Sequence, residues 1–311
     1  MSILGLHHVT ATVDDAQQDL DFYSGVLGLR LVKKTVNFDN RQVFHFYYGT
    51  EHGAPGTIWT TFPYRGHGVR TGSKGAGQIG VTSFSVPTGS LEFWRSRLGQ
   101  IGLTVREQPP RFGEKSIVVH DPSGLAIALV ATGDDTRDPW TQSEIVSTAA
   151  IRGLDSVTMH VRTPGSSVAF MTRALGYTVA HEAEGLIRLF VGKDEPGRRI
   201  YIAHSPNFPG AVNGLGTVHH VAMAAQTAED QLRIREELMD MGVQVTPVMD
   251  RQYFTSIYFR EPGGVLFEIA TMPPGFTVDE PLEELGRSLK LPPWEEPNRA
   301  AIEMGLPRVR Y

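Results

Sequence analysis

Four stretches of the chain open with the same pattern of apolar and polar positions. They are Gly5-Leu6-His7-His8-Val9-Thr10, Gly77-Gln78-Ile79-Gly80-Val81-Thr82, Gly153-Leu154-Asp155-Ser156-Val157-Thr158 and Thr217-Val218-His219-His220-Val221-Ala222. Each reads as a β-strand. The first is followed by a helical pattern in which Asp14 or Asp15 suits the N-cap, Leu20, Tyr23 and Leu27 share one face, and Gly28 suits a left-handed C-cap. The third stretch repeats this pattern up to Gly176. His8 and Gly28 are 20 positions apart, as are Ser156 and Gly176, whereas Gly80–Gly102 and His220–Gly242 are both 22 apart. Odd copies therefore match odd and even match even, which points to duplication of a two-module unit. After each helix come alternating or aromatic-rich runs, such as Gln42-Val43-Phe44-His45-Phe46-Tyr47-Tyr48 and Ser256-Ile257-Tyr258-Phe259, read as strands with one buried face. The expected fold class is α+β, with four βαβββ modules.

Polar, turn-rich residues 132–139 read as a linker between halves, and Gly-rich residues 66–77 as a loop between the first two modules. The expected division is an N-terminal half over 1–135, a C-terminal half over 150–275, and a Pro-punctuated tail over 276–311 packed on the body.

The copies share a frame but differ in reactive residues. Aligned on the residue before the valine, they carry His8, Gly80, Ser156 and His220. Downstream, Asp121-Pro122-Ser123-Gly124-Leu125-Ala126-Ile127-Ala128 matches Glu261-Pro262-Gly263-Gly264-Val265-Leu266-Phe267-Glu268, with 48 positions separating Gly80 from Ala128 and His220 from Glu268 alike. Glu268 lies in an apolar strand, where a buried carboxylate without a partner costs several kcal/mol. Two imidazoles and one carboxylate form the ligand set of a mononuclear metal site with open positions, the pattern of non-haem Fe(II) oxygenases; Mn(II) is compatible with the same set. A closed structural zinc site would want four protein ligands. His45, His52, His67, His120, His160, His181 and His204 have no such correspondence and read as structural.

Composition narrows the function classes. The 311 residues are 41% hydrophobic and 20% charged, as in ordinary globular chains, and a net charge of −5 argues against a nucleic-acid groove. The absence of cysteine removes disulfides, thiolate metal sites and cysteine nucleophiles. Residues 1–7 carry no basic region or long apolar run, and no stretch approaches the roughly 18 apolar residues of a membrane span, so a cytoplasmic protein without membrane or nucleic-acid partners is expected.

A βαβββ unit repeated four times, with His on first strands and Glu on a last strand, resembles the vicinal oxygen chelate superfamily of glyoxalases, extradiol dioxygenases and antibiotic-binding proteins. The resemblance covers essentially the whole chain. It implies two barrel-like halves, with modules one and four sharing the metal barrel because His8 and His220 lie in them. Catechol-cleaving members place their first His in module three, where this chain has Ser156. A glyoxalase site would take a fourth ligand from an odd module's last strand, yet 57–62 and 199–203 hold no carboxylate. The departure is similar to the para-hydroquinone ring-cleaving dioxygenases, on His7-His8-Val9-Thr10, His219-His220-Val221, Asp250-Arg251-Gln252-Tyr253-Phe254, Ser256-Ile257-Tyr258-Phe259-Arg260 and Leu266-Phe267-Glu268-Ile269. That resemblance implies iron on His8, His220 and Glu268, with His7, Thr10, His219, Arg251 and Tyr258 around it. A small aromatic substrate, O2 and a homo-oligomer go with it. Strict strand alternation turns His7 and His219 away from the ligands, so only a bulge or a position at the barrel seam lets them reach substrate. The alternatives are a glyoxalase-like Ni(II) or Zn(II) lyase or isomerase, and a non-catalytic aromatic-binding resistance protein.

Overall fold

The computed structural model describes residues 3–311. The first module supplies β1 (Ile3–Val13), β2 (Arg30–Asn37), β3 (Asn40–Gly49) and β4 (Ile58–Pro63), with helix α1 (Ala16–Leu20) continuing as a π-helical stretch over Asp21–Val26. The second supplies β5 (Gln78–Pro87), β6 (Arg106–Arg111), β7 (Glu114–His120) and β8 (Ala126–Thr132) with α2 (Leu91–Gln100). The third supplies β9 (Gly153–Val161), β10 (Thr178–Ala183), β11 (Leu186–Phe190) and β12 (Arg199–His204) with α3 (Pro164–Ala174). The fourth supplies β13 (Thr217–Ala225), β14 (Met249–Asp250), β15 (Thr255–Arg260) and β16 (Leu266–Thr271) with α4 (Ala228–Asp240). Asp15 caps α1 by accepting from the Gln18 amide, and Gly28, Gly102, Gly176 and Gly242 all adopt left-handed backbone where their helices end.

The strands form two eight-stranded sheets, which with the flanking helices make an α+β fold. One runs β14-β15-β16-β13-β1-β4-β3-β2 and the other β10-β11-β12-β9-β5-β8-β7-β6. Each sheet joins two modules through antiparallel first strands, β1 with β13 and β5 with β9. Alternation along β1 sends Val9, Ala11 and Val13 into the main core with Leu20, Tyr23 and Leu27, so that His8 and Thr10 face the concave side. β9 does the same with Val157, Met159 and Val161 opposite Ser156 and Thr158. Each sheet thus curls into a cup with an apolar back and a polar interior.

The cup containing β1 and β13 has a second, smaller apolar cluster. Val32, Tyr47, Ile58, Ala222, Phe254 and Ala270 pack there, and the segment after β16 adds Phe276 and Leu285. Lys33, fully buried on β2, ties this segment down: its Nζ lies 2.6 Å from Asp279 and 2.7 Å from Glu280. The Tyr253 hydroxyl donates to Asp279 at 3.0 Å. Residues 276–285 therefore span from the β2 edge to the loop after β14, at the two ends of the sheet. Residues 132–139 lie between the two sheets, where Arg137 donates to the carbonyls of Gly56 and Leu154. No helix among the described residues is long and apolar enough to cross a membrane.

Candidate metal centre

His8 on β1, His220 on β13 and Glu268 on β16 converge because the three strands are neighbours and all three side chains face the cup. Oε2 of Glu268 is 2.9 Å from His220 Nε2 and 3.3 Å from His8 Nε2, and the two Nε2 atoms are 3.2 Å apart. Glu268 is wholly buried, and although Oε2 touches both rings, none of these contacts is aligned as a hydrogen bond to it. Its other oxygen accepts from the Ser256 hydroxyl. Burial alone would raise the Glu268 carboxyl, but His8 and His220 outweigh it and hold the group well below the usual carboxylate range. Burial lowers His220. A cation would bind this set with the carboxylate ionised and both ring nitrogens deprotonated, taking over the charge balance that the histidines otherwise supply.

The spacing tests the fit. Donors ~2.1 Å from a first-row divalent ion are about 3.0 Å apart at right angles and about 3.4 Å apart in a tetrahedron. The observed separations of 2.9, 3.2 and 3.3 Å fall within the range these two geometries span, and three protein donors leave further positions open. These residues could hold a metal ion.

His7 and His219 occupy a pair of matched irregularities. Between Leu6 and His8, β1 advances two residues while β13 moves one; between Thr10 and Ala11 the extra residue is His219 on β13. Each bulge swings the intervening imidazole back, so that Nδ1 of His7 is 2.8 Å from Nδ1 of His8, and Nδ1 of His219 is 2.8 Å from Nδ1 of His220. When His8 and His220 donate from Nδ1, their Nε2 lone pairs face the shared centre. Burial, with the neighbouring ring adding, lowers both His7 and His219 to about 3, so both stay neutral.

A cavity of 280 Å³ opens above this centre. His8, His219, His220, Arg251 and Tyr258 line it, with aromatic walls that include Phe38, Phe62 and Phe254. Tyr258 is opposite Glu268 in the β15–β16 register. Burial pushes its phenol up, so it remains a hydroxyl, and Arg251 Nε donates to it at 3.2 Å. Arg251 also pairs with the exposed Asp39 at 3.2 Å across the cavity mouth. Glu268 lies beneath the floor; His7 and Thr10 are behind the wall rather than on it.

His45, read from the sequence as structural, lines the cavity. Its Nε2 is 3.0 Å from Thr60 Oγ1, which is 2.8 Å from Thr10 Oγ1. Burial drives its basicity well down. Sequence reasoning also missed Ser256, Asp39 and the aromatic walls. One signal was available for His45: it shares a strand face with Tyr47, two positions on.

A family model for the glyoxalase/bleomycin resistance protein/dioxygenase superfamily matches residues 5–129 and 153–269. The chain belongs to that superfamily. It is 43% identical over 309 residues, 99% of this chain and 100% of the relative, to the Bacillus subtilis protein named "Putative ring-cleaving dioxygenase MhqE". It is 36% identical to the chlorohydroquinone/hydroquinone 1,2-dioxygenase of Sphingobium indicum, over 93% of this chain and 91% of that one. A solved structure described as a putative dioxygenase from Bacillus subtilis superposes with a TM-score of 0.94 at 41% identity, covering 99% of this chain and 98% of its own. Glyoxalase I from Zea mays, at 13% identity and a TM-score of 0.65 over 86% of this chain and 92% of its own, shares the fold.

Proposed function

We propose that the protein is a ring-cleaving dioxygenase for hydroquinone-type aromatics, working with Fe(II) held by His8, His220 and Glu268. The observation that carries this reading is the convergence of two imidazoles and an ionised, buried carboxylate at the floor of an aromatic-walled cavity. The names of relatives aligned over nearly the whole chain support it. An Fe(II) ion on this set supplies a redox-active centre with open positions for a phenolic oxygen and O2. Mn(II) suits the same ligands. In this reading modules one and four form the working unit.

The chain's own residues do the rest. The aromatic walls sandwich one planar ring and keep bulk water from it. A para-diphenol offers a single oxygen to the centre, since its hydroxyls are too far apart to chelate. Tyr258, held protonated, donates a hydrogen bond at the reacting oxygen, and Arg251 stays cationic there because Tyr258 and Asp39 outweigh its burial. With Nδ1 accepting from His220, neutral His219 keeps its proton on Nε2, where it can donate a hydrogen bond to substrate. His7 steadies His8 in the same way, and the chain from Thr10 through Thr60 orients His45 on the opposite wall. Both atoms of O2 end in the ring-opened semialdehyde. The protein works in the cytoplasm as a homo-oligomer.

The test is oxygen uptake by anaerobically Fe(II)-loaded protein given hydroquinone, catechol, or methylglyoxal with glutathione. Uptake with hydroquinone above catechol is expected. No uptake with any dihydroxybenzene sinks the reading, and turnover of the methylglyoxal adduct would favour the lyase alternative.

A further inference from the structure

The second cup holds a cavity of its own, and the substitutions that removed the metal set did not close it. Residue for residue, Ser156 replaces His8, Gly80 replaces His220, Ala128 replaces Glu268 and Val118 replaces Tyr258. The rim is nevertheless retained. Arg111 occupies the place of Arg251, and the next residue is left-handed in both, Phe112 at φ +50° and Gln252 at φ +65°. A non-glycine residue is strained there, so the turn is maintained against strain in each cup.

The space enclosed is 100 Å³ and open at the mouth, on the scale of the ~150 Å³ that takes one benzene ring. Its floor is apolar, from Val81, Val118, Ala128 and Val130. Its wall carries hydroxyls, and Thr158 Oγ1, on a residue only 3% exposed, has no hydrogen-bond partner. A buried hydroxyl left unmatched is destabilising, and a ligand hydroxyl would satisfy it. Tyr201 lines the cavity, and Phe112, outside the lining, lies nearly parallel to it with ring centroids 6.1 Å apart. Charge selects the ligand further. From behind the wall Arg199 pairs with the lining residues Glu114 at 2.8 Å and Asp155 at 3.3 Å and with Asp194 at 2.8 Å, and Arg188 pairs with Asp194 at 2.6 Å. The lining itself sets one guanidinium, Arg111, against two carboxylates, Glu114 and Asp155, so the cup disfavours an anionic guest.

We propose that the metal-free cup is a second binding site, specific for a single uncharged phenolic ring whose hydroxyl pairs with Thr158. The ring packs on the Val81–Val130 floor beside Tyr201. This follows from the lining of the cup itself and does not depend on the reading of the metal centre.

Equilibrium dialysis of metal-free protein against labelled phenol and, separately, labelled benzoate tests it. Phenol should lose one bound equivalent per chain in Ala128→Phe, which fills the floor, and bind that site about fivefold more weakly in Thr158→Val, which keeps the shape. Benzoate uptake should be the same in wild type and both variants. An unchanged phenol stoichiometry in Ala128→Phe together with unchanged affinity in Thr158→Val overturns the proposal, as does a benzoate site lost in both variants. If the metal cavity takes no phenol, wild type binds one equivalent instead of two, and that one still disappears in Ala128→Phe, so the two readings fail separately.

Discussion

The two cups share strand order and rim turns, yet among the described residues only one gathers a set of side chains that could hold a metal. β1 and β13 bulge at His7 and His219; β5 and β9 also show two register shifts, one at Asp155, the counterpart of His7, and one at Gly80, one position from the counterpart of His219. The irregularity thus belongs to the frame, and the metal cup exploits it by placing a second imidazole beside each ligand imidazole. The two interiors balance charge differently. The metal cup leaves a carboxylate oxygen without a hydrogen bond, whereas the other pairs its acids with Arg188 and Arg199. Only the metal cup is spanned by residues 276–285, through Lys33. A duplicated frame can therefore carry two chemistries when side chains alone diverge.

The largest expected difference between the cups is in activity. Glu268→Gln, or His8→Ala, should lower hydroquinone-dependent oxygen uptake by about a thousandfold or more. Ala128→Gln, at the matching position of the other cup, should leave it within about threefold. Loss of equal size from both would erase the distinction.

Next in size is the anchor. Lys33→Met strands the Glu280 carboxylate, only 4% exposed, and should destabilise the protein by about 3 kcal/mol, read as a shift in urea midpoint. A midpoint unchanged within error would mean residues 276–285 contribute no stability to this cup.

Tyr258→Phe removes one hydroxyl at the cavity and should cost about 10- to 100-fold in kcat, with metal content unchanged. A rise in KM alone would make the hydroxyl a binding group rather than a group that acts on the reacting oxygen.

The smallest effect concerns the helices behind the cups. Asp19 on α1 stands where α3 has Ser167, and burial raises its carboxyl to about 8 against an ordinary value of 3.8. Between those values the folded chain keeps a proton that the unfolded chain has lost, so stability falls as pH rises through this window. Asp19→Asn should flatten that slope and gain about 1–2 kcal/mol at pH 8. Parallel pH profiles for the two proteins would show that Asp19 ionises normally.

Much of this was legible because the chain repeats itself. Unequal copies of one pattern singled out His8, His220 and Glu268, and the structure brings these together. Periodicity and terminal glycines gave the module order and the helix ends. The orientation of His7 and His219 was not legible, since it depends on bulges, and a bulge is a property of two paired strands rather than of either sequence. His45 was missed because its one local sign, sharing a strand face with Tyr47, does not distinguish a cavity wall from a packed core. Ser256 was hidden for the opposite reason: Ser116 holds the matching position in the other cup, so it looked like part of the frame. Lys33 did leave a trace, a cation inside Leu31-Val32-Lys33, but its partners Asp279 and Glu280 are nearly 250 residues away.

The central claim is that one cup alone binds a catalytic ion. Elemental analysis of protein loaded anaerobically with Fe(II) and desalted tests it most directly. One iron per chain in wild type and in Ala128→Gln, and less than a tenth in Glu268→Gln, is the predicted result. Two irons in wild type, or full occupancy in Glu268→Gln, would contradict it.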